Sequence, residues 1–103
     1  MDKKVIDFTN KDQLSEVFFI GMFGSIVQSI LKAMFGNISI PVTIKGSPGQ
    51  IQSFANVLGK EKSYIQAIKN HGLDNPVTFR DKYKLEKAAK EFERETGVTW
   101  PFK

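Results

Sequence analysis

The chain has no cysteine in its 103 residues. That excludes a disulfide framework, a thiolate metal site and a cysteine nucleophile. It has one histidine, His71, and one tryptophan, Trp100. A lone imidazole without a serine or aspartate motif around it makes no catalytic triad, and no set of metal ligands stands at a recognisable spacing. Repeats, low-complexity tracts and interdomain linkers are also missing. Excess charge is small: 15 Lys and Arg face 11 Asp and Glu, for a net +4. That is compatible with a polyanionic partner without dictating one. The opening MDKKVIDFTNKDQLSE mixes charged and apolar residues and carries no signal-peptide pattern. Hydrophobic residues make up 41% and charged residues 25%. One globular domain, residues 1–103, with a single modest core is the expectation.

One long apolar run is present. Residues 17–36, VFFIGMFGSIVQSILKAMFG, contain a single charge, Lys32. The length suits a bilayer. The pattern does not: Gly21, Ser25, Gln28, Ser29 and Lys32 recur at steps of three and four, so they share one helical face. A core helix is expected, not a membrane span. The run is large for so small a core. Phe18, Phe19, Met22 and Phe23, with Trp100 and Phe102 of the tail, are therefore candidates for an interface in a homo-oligomer or a larger protein assembly.

Around this helix the signals alternate. Residues 3–8, KKVIDF, read as a strand. Thr9 or Asn10 can cap the following helix, with Asp12 or Gln13 three residues on, and Gly36-Asn37 stops it. Residues 38–45, ISIPVTIK, alternate as a second strand, with Ile38, Ile40, Val42 and Ile44 on one face and Pro41 marking an edge. In GSPGQ, Ser47 caps, Pro48 takes the first helical position and Gln50 completes a capping box. That helical region ends at Gly72. Asn75-Pro76 starts the last helix, which stops before Gly97 with Phe79, Leu85, Ala88, Ala89 and Phe92 inward. Its outer face carries six basic and five acidic residues between Arg80 and Glu95, a solvated face with pairs such as Lys82–Glu86 and Glu86–Lys90. The fold class expected is α+β, ordered β-α-β-α-α, predominantly helical with a short sheet.

Strand, GSPG, helix has the outline of a phosphate cradle. It lacks the P-loop spacing and the following lysine, and Pro48 removes a donor, so capping explains it. The tail VTWPFK either folds back over the core beside Phe79 and Phe92, which is the expected placement, or serves as a docking peptide.

Residues 50–68, QIQSFANVLGKEKSYIQAI, resemble the helix-turn-helix of repressor-like DNA-binding proteins. Ala55, Gly59 and Ile65 stand at that motif's small, turn-glycine and aliphatic positions, with Phe54, Leu58 and Ile68 in the flanking core positions. The resemblance implies that the second helix enters the major groove, with Lys62, Ser63, Tyr64 and Gln66 toward the DNA. Lys60 and Lys69, with Lys45 nearby, are candidates for the phosphates. Lys60 stands where the motif has a buried aliphatic residue, and Glu61 is a poor cap. The alternative is one continuous helix from Pro48 to Asn70, with Ile51, Phe54, Ala55, Leu58, Ile65 and Ile68 as its core stripe. Residues 72–103 more distantly resemble small proteins of large tailed phages. The functions that follow are a non-enzymatic nucleic-acid-binding accessory protein without cofactor, in host cytoplasm or virion if viral, or a structural protein that assembles through the 17–35 helix.

Overall fold

Strands β1 (Lys4–Asp7) and β2 (Val42–Lys45) pair in parallel, Val5 opposite Thr43 and Ile6 opposite Ile44. Parallel neighbours cannot be joined by a tight turn. Here the crossover contains helix α1 (Val17–Gly36), and helices α2 (Pro48–His71) and α3 (Pro76–Thr96) follow β2. The order is β-α-β-α-α, a predominantly helical α+β domain with a two-stranded sheet. The computed structural model describes residues 4–9 and 17–102, with the side chains of α1 described from Phe23 onward. The proposed caps at Asn10, Asp12 and Gln13, and the side chains of Phe18, Phe19 and Met22, lie outside the described residues.

Both helix starts form as the sequence predicts. The Ser47 hydroxyl accepts from the Gln50 amide, and the Gln50 side chain accepts from the Ser47 amide at 2.8 Å. Asn75 accepts from Val77 N at 2.9 Å. Gly72 and Gly97, at φ 81° and 74°, end α2 and α3. The Gln50 carboxamide nitrogen also reaches the carbonyls of Phe8 and Glu95. It thereby joins the end of β1, the start of α2 and the end of α3. At the far end Thr78 Oγ1 donates to the carbonyls of Gly72 (2.6 Å) and Ala67 (3.3 Å). These two ties fix α2 and α3 as an antiparallel hairpin.

The second strand is shorter than residues 38–45. The α1 terminus takes its first residues: Ile38 N donates to Ala33 O at 2.8 Å, Asn37 N donates to Met34 O, and Asn37 is left-handed at φ 58°. This is a Schellman closure, so the Ile38 amide belongs to the helix end and is lost to a ladder. Pro41 has no amide to give. Ile38 is accordingly 67% exposed instead of facing the core.

Residues 48–71 form one helix, and the two-helix arrangement about Gly59 is not adopted. Gly59 has no left-handed φ and nothing within 4 Å of a would-be Cβ. Its intrinsic helix cost, about 1 kcal/mol against alanine, is outweighed by packing on both sides. Phe54, Val57 and Leu58 before it and Glu61 and Ala67 after it are buried. Ile51 and Ala55, expected in that stripe, are exposed.

The core centres on five rings, one from each part of the chain. Phe8 follows β1, Phe23 lies on α1, Phe54 on α2, Phe92 on α3, and Trp100 on the tail; all are at most 2% exposed. Phe23 and Phe92 stack at 5.9 Å. Phe92 meets Trp100 edge-on at 5.4 Å, and Phe8 meets Phe54 and Phe92 edge-on at 5.5 and 5.6 Å. These are favourable aromatic geometries. The tail therefore folds back beside Phe92, and Pro101 lies against Gly24 of α1. Trp100 and Phe23, candidates for a partner interface, are core residues. Phe79 is not beside the tail: it is 56% exposed. The stripe of α3 begins at Thr78, and Phe79 stands 100° around the helix from it. The pairs Lys82–Glu86 and Glu86–Lys90 do not form. Ion pairs among the described residues are Arg80–Asp81 and Arg94–Glu91.

Candidate functional site

A groove of about 510 Å³ opens between α1 and α2 at the tail, lined by Gln28, Leu31, Lys32 and Phe35 from α1, Glu61, Ile65 and Lys69 from α2, and Phe102. Helical spacing builds it: Glu61, Ile65 and Lys69 lie at i, i+4 and i+8, as Gln28, Lys32 and Phe35 do at i, i+4 and i+7. Its walls are apolar and aromatic, and its rim is basic. The Lys69 ammonium stands 4.8 Å from the centre of the Phe35 ring, and that of Lys62 stands 5.7 Å from it. Cations over a ring face are held by its quadrupole. Lys62 also donates to Met34 O at the C-terminal end of α1, where a cation complements the helix dipole. Lys32 and Lys69 are exposed, and neither is in an ion pair among the described residues.

Glu61 forms the floor. The residue is 4% exposed, and its Oε1 accepts from Trp100 Nε1 at 2.9 Å. Burial pushes its carboxyl above the usual carboxylate range, and the indole bond pulls back less strongly. The second carboxyl oxygen has no hydrogen bond among the described residues, yet it is not sealed from solvent. Its opening is the groove that Glu61 lines.

The residues proposed for DNA contact divide. Lys69 lines the groove, joined by Lys32 and Phe35, which the sequence does not single out; Lys62 stands over the Phe35 ring without lining the groove. Ser63 and Gln66 are exposed and line neither this groove nor its neighbour. Tyr64 lines a second hollow of about 550 Å³, with Lys82, Leu85, Glu86, Ala89, Lys90 and Trp100. Phe102 lines both hollows, half-buried against Trp100. Lys60 is half-buried and Lys45 lies on β2, and neither lines the groove. A sequence signal for Glu61 did exist. It falls on the row Phe54, Leu58, Glu61, Ile65, Ile68, so a charge stood on the apolar face of the continuous helix.

The start of α2 is not a phosphate cradle. A Cβ built on Gly49 would lie 3.2 Å from a Glu95 carboxylate oxygen. That carboxylate already complements the helix N-terminus and would repel a phosphate. Among the described residues no group of three His, Cys, Asp or Glu is placed to hold a metal. Likewise, no described helix is long and apolar enough to cross a membrane. In comparisons with known proteins, the chain matches no family model, no curated protein and no solved structure.

Proposed function

We propose that this protein is a small, non-enzymatic nucleic-acid-binding accessory protein, and that it holds strand phosphates through the lysines around the α1–α2 groove. One observation carries the reading: Lys62 and Lys69 stand over the Phe35 ring, Lys32 lines the same groove, and Glu61, the only carboxyl lining it among the described residues, is buried and bonded to Trp100. The rim is thus positive without an ion-pair partner among the described residues, which suits a polyanion. Base-edge readout by a second helix of a helix-turn-helix is not part of this mechanism, because Gly59 makes no turn. Such a protein works where nucleic acid is, in the cytoplasm. The resemblance of residues 72–103 to phage proteins would make that an infected host's cytoplasm or a virion.

The test is binding of labelled oligonucleotides at several salt concentrations. Affinity should fall steeply with salt, and Lys32→Gln and Lys69→Gln should each lower the salt slope by about one counterion. Absence of binding at low salt ends the proposal.

A second reading is assembly with other protein chains. Its support has moved from α1, whose Phe23, Ile26, Val27 and Leu31 are buried at home, to the exposed Leu73, Phe79 and Tyr83 near the α2–α3 turn. A homo-oligomer through this patch would sediment above the monomer mass, and Phe79→Lys would return it to the monomer. A wild-type chain that stays monomeric at high concentration removes this reading.

A further inference from the structure

The groove is segregated by charge. Its floor carries the Glu61 carboxyl, with one oxygen held by Trp100 Nε1 and the other unpartnered among the described residues. Its rim carries the exposed ammonium groups of Lys32 and Lys69. Leu31, Ile65 and the aromatic rings of Phe35 and Phe102 lie between. A phosphate cannot enter the floor, where it would meet a carboxyl oxygen. The floor asks for an N–H donor, the walls for a flat apolar body, and the rim for an anion. A single nucleotide unit of a strand has all three in that order, and about 510 Å³ lies in the range of small-ligand sites. Duplex bases are paired and stacked, so a duplex could offer the groove only its phosphates. An unstacked single strand can insert a base.

Resting on the nucleic-acid reading above, we infer that the groove receives one unstacked, amino-bearing base of a single-stranded nucleic acid, with Glu61 accepting from the exocyclic amine and Lys32 and Lys69 holding the flanking phosphates. Cytosine offers an N4 amine where thymine offers the O4 carbonyl. With Glu61 ionised, the carboxylate floor therefore favours the first and repels the second.

The experiment is fluorescence anisotropy with oligodeoxycytidine and oligodeoxythymidine of equal length, at neutral pH and low salt. Wild type should bind the cytidine strand about threefold to tenfold more tightly, the worth of one hydrogen bond. Glu61→Gln keeps an oxygen for Trp100 Nε1–H, and that bond turns the carboxamide NH₂ toward the groove. Its preference should invert toward thymidine. The salt slope should not change, because no phosphate contact is touched. In wild type, Trp100 emission should change on adding the cytidine strand and not the thymidine strand, a readout that needs no variant. Equal wild-type affinity for the two strands overturns the inference and leaves phosphate binding standing. An unchanged cytidine preference in Glu61→Gln, with the fold intact, overturns it as well. Failure to bind either strand at low salt removes this inference together with the reading beneath it.

Discussion

The indole N–H of Trp100 donates to Glu61 Oε1 at 2.9 Å, joining the tail to the middle of α2 across 39 positions, with both residues almost wholly buried. The bond satisfies the only indole in the chain and half of a carboxyl that burial disfavours as an anion. Because the folded carboxyl binds its proton more tightly than the unfolded one, its contribution is fully present below the unfolded pKa. That contribution is lost as pH rises through the raised folded value. Glu61→Gln keeps the acceptor and removes the charge. It should melt above wild type at neutral pH, and the gap should close on acidification. Thermal melts of both proteins from pH 4 to 8 check this. A variant less stable than wild type at neutral pH would mean that burial does not dominate the energetics of this carboxyl.

Removing the other partner is costlier. Trp100→Phe keeps most of the ring packing but leaves Glu61 Oε1 without its donor, a loss of about 1–3 kcal/mol. Trp100→Ala adds a large cavity among Phe23, Phe54 and Phe92 and should cost about 3–5 kcal/mol. Urea unfolding separates the two. If deletion of residues 99–103 leaves the midpoint unchanged, the tail does not seal the core.

Gly59 lies in the interior of α2 with open space around it. Gly59→Ala should stabilise by up to about 1 kcal/mol, since alanine has the better helix propensity and the smaller unfolded-state entropy. A lowered melting temperature would instead indicate the left-handed turn of a helix-turn-helix.

Asn37 is the one described non-glycine residue at positive φ. Asn37→Gly should be neutral or stabilising by up to about 1 kcal/mol. Asn37→Ala should destabilise by about 1 kcal/mol, because its Cβ crowds the left-handed conformation. Comparing the two melts isolates backbone strain from any loss of side-chain contact.

Local signals in the sequence were legible because their causes are local. Ser47 and Gln50, Asn75 and Pro76, Gly72 and Gly97 act within one helical turn, and each does as its spacing predicts. What escaped depends on partners distant in sequence. Ile38 alternates correctly for a strand, but its amide is spent on Ala33 O. Phe79 is as apolar as any core residue, but Thr78 is the neighbour that Ala67 and Gly72 need. Ala55, Gly59 and Ile65 satisfy a motif whose turn depends on where the rest of α2 packs. Of the groove, Lys69 stands in the motif, with Lys62 beside it over the Phe35 ring. Glu61 looks like a weak cap in the sequence because its partner, Trp100, lies 39 positions away.

The five-ring centre bears on how quickly the chain can fold. Helical chains usually fold fast, since most of their contacts are local. Here Phe8 must meet Phe92, and Trp100 must meet Phe23, so the ends of the chain have to come together before the rings can close. Pairing β1 with β2 across α1 adds a second long loop closure. Refolding should therefore run at the pace of mixed α/β domains, slower than the helix content alone suggests. Burial of Trp100 should report the late step, after the α2–α3 hairpin has gained its helicity.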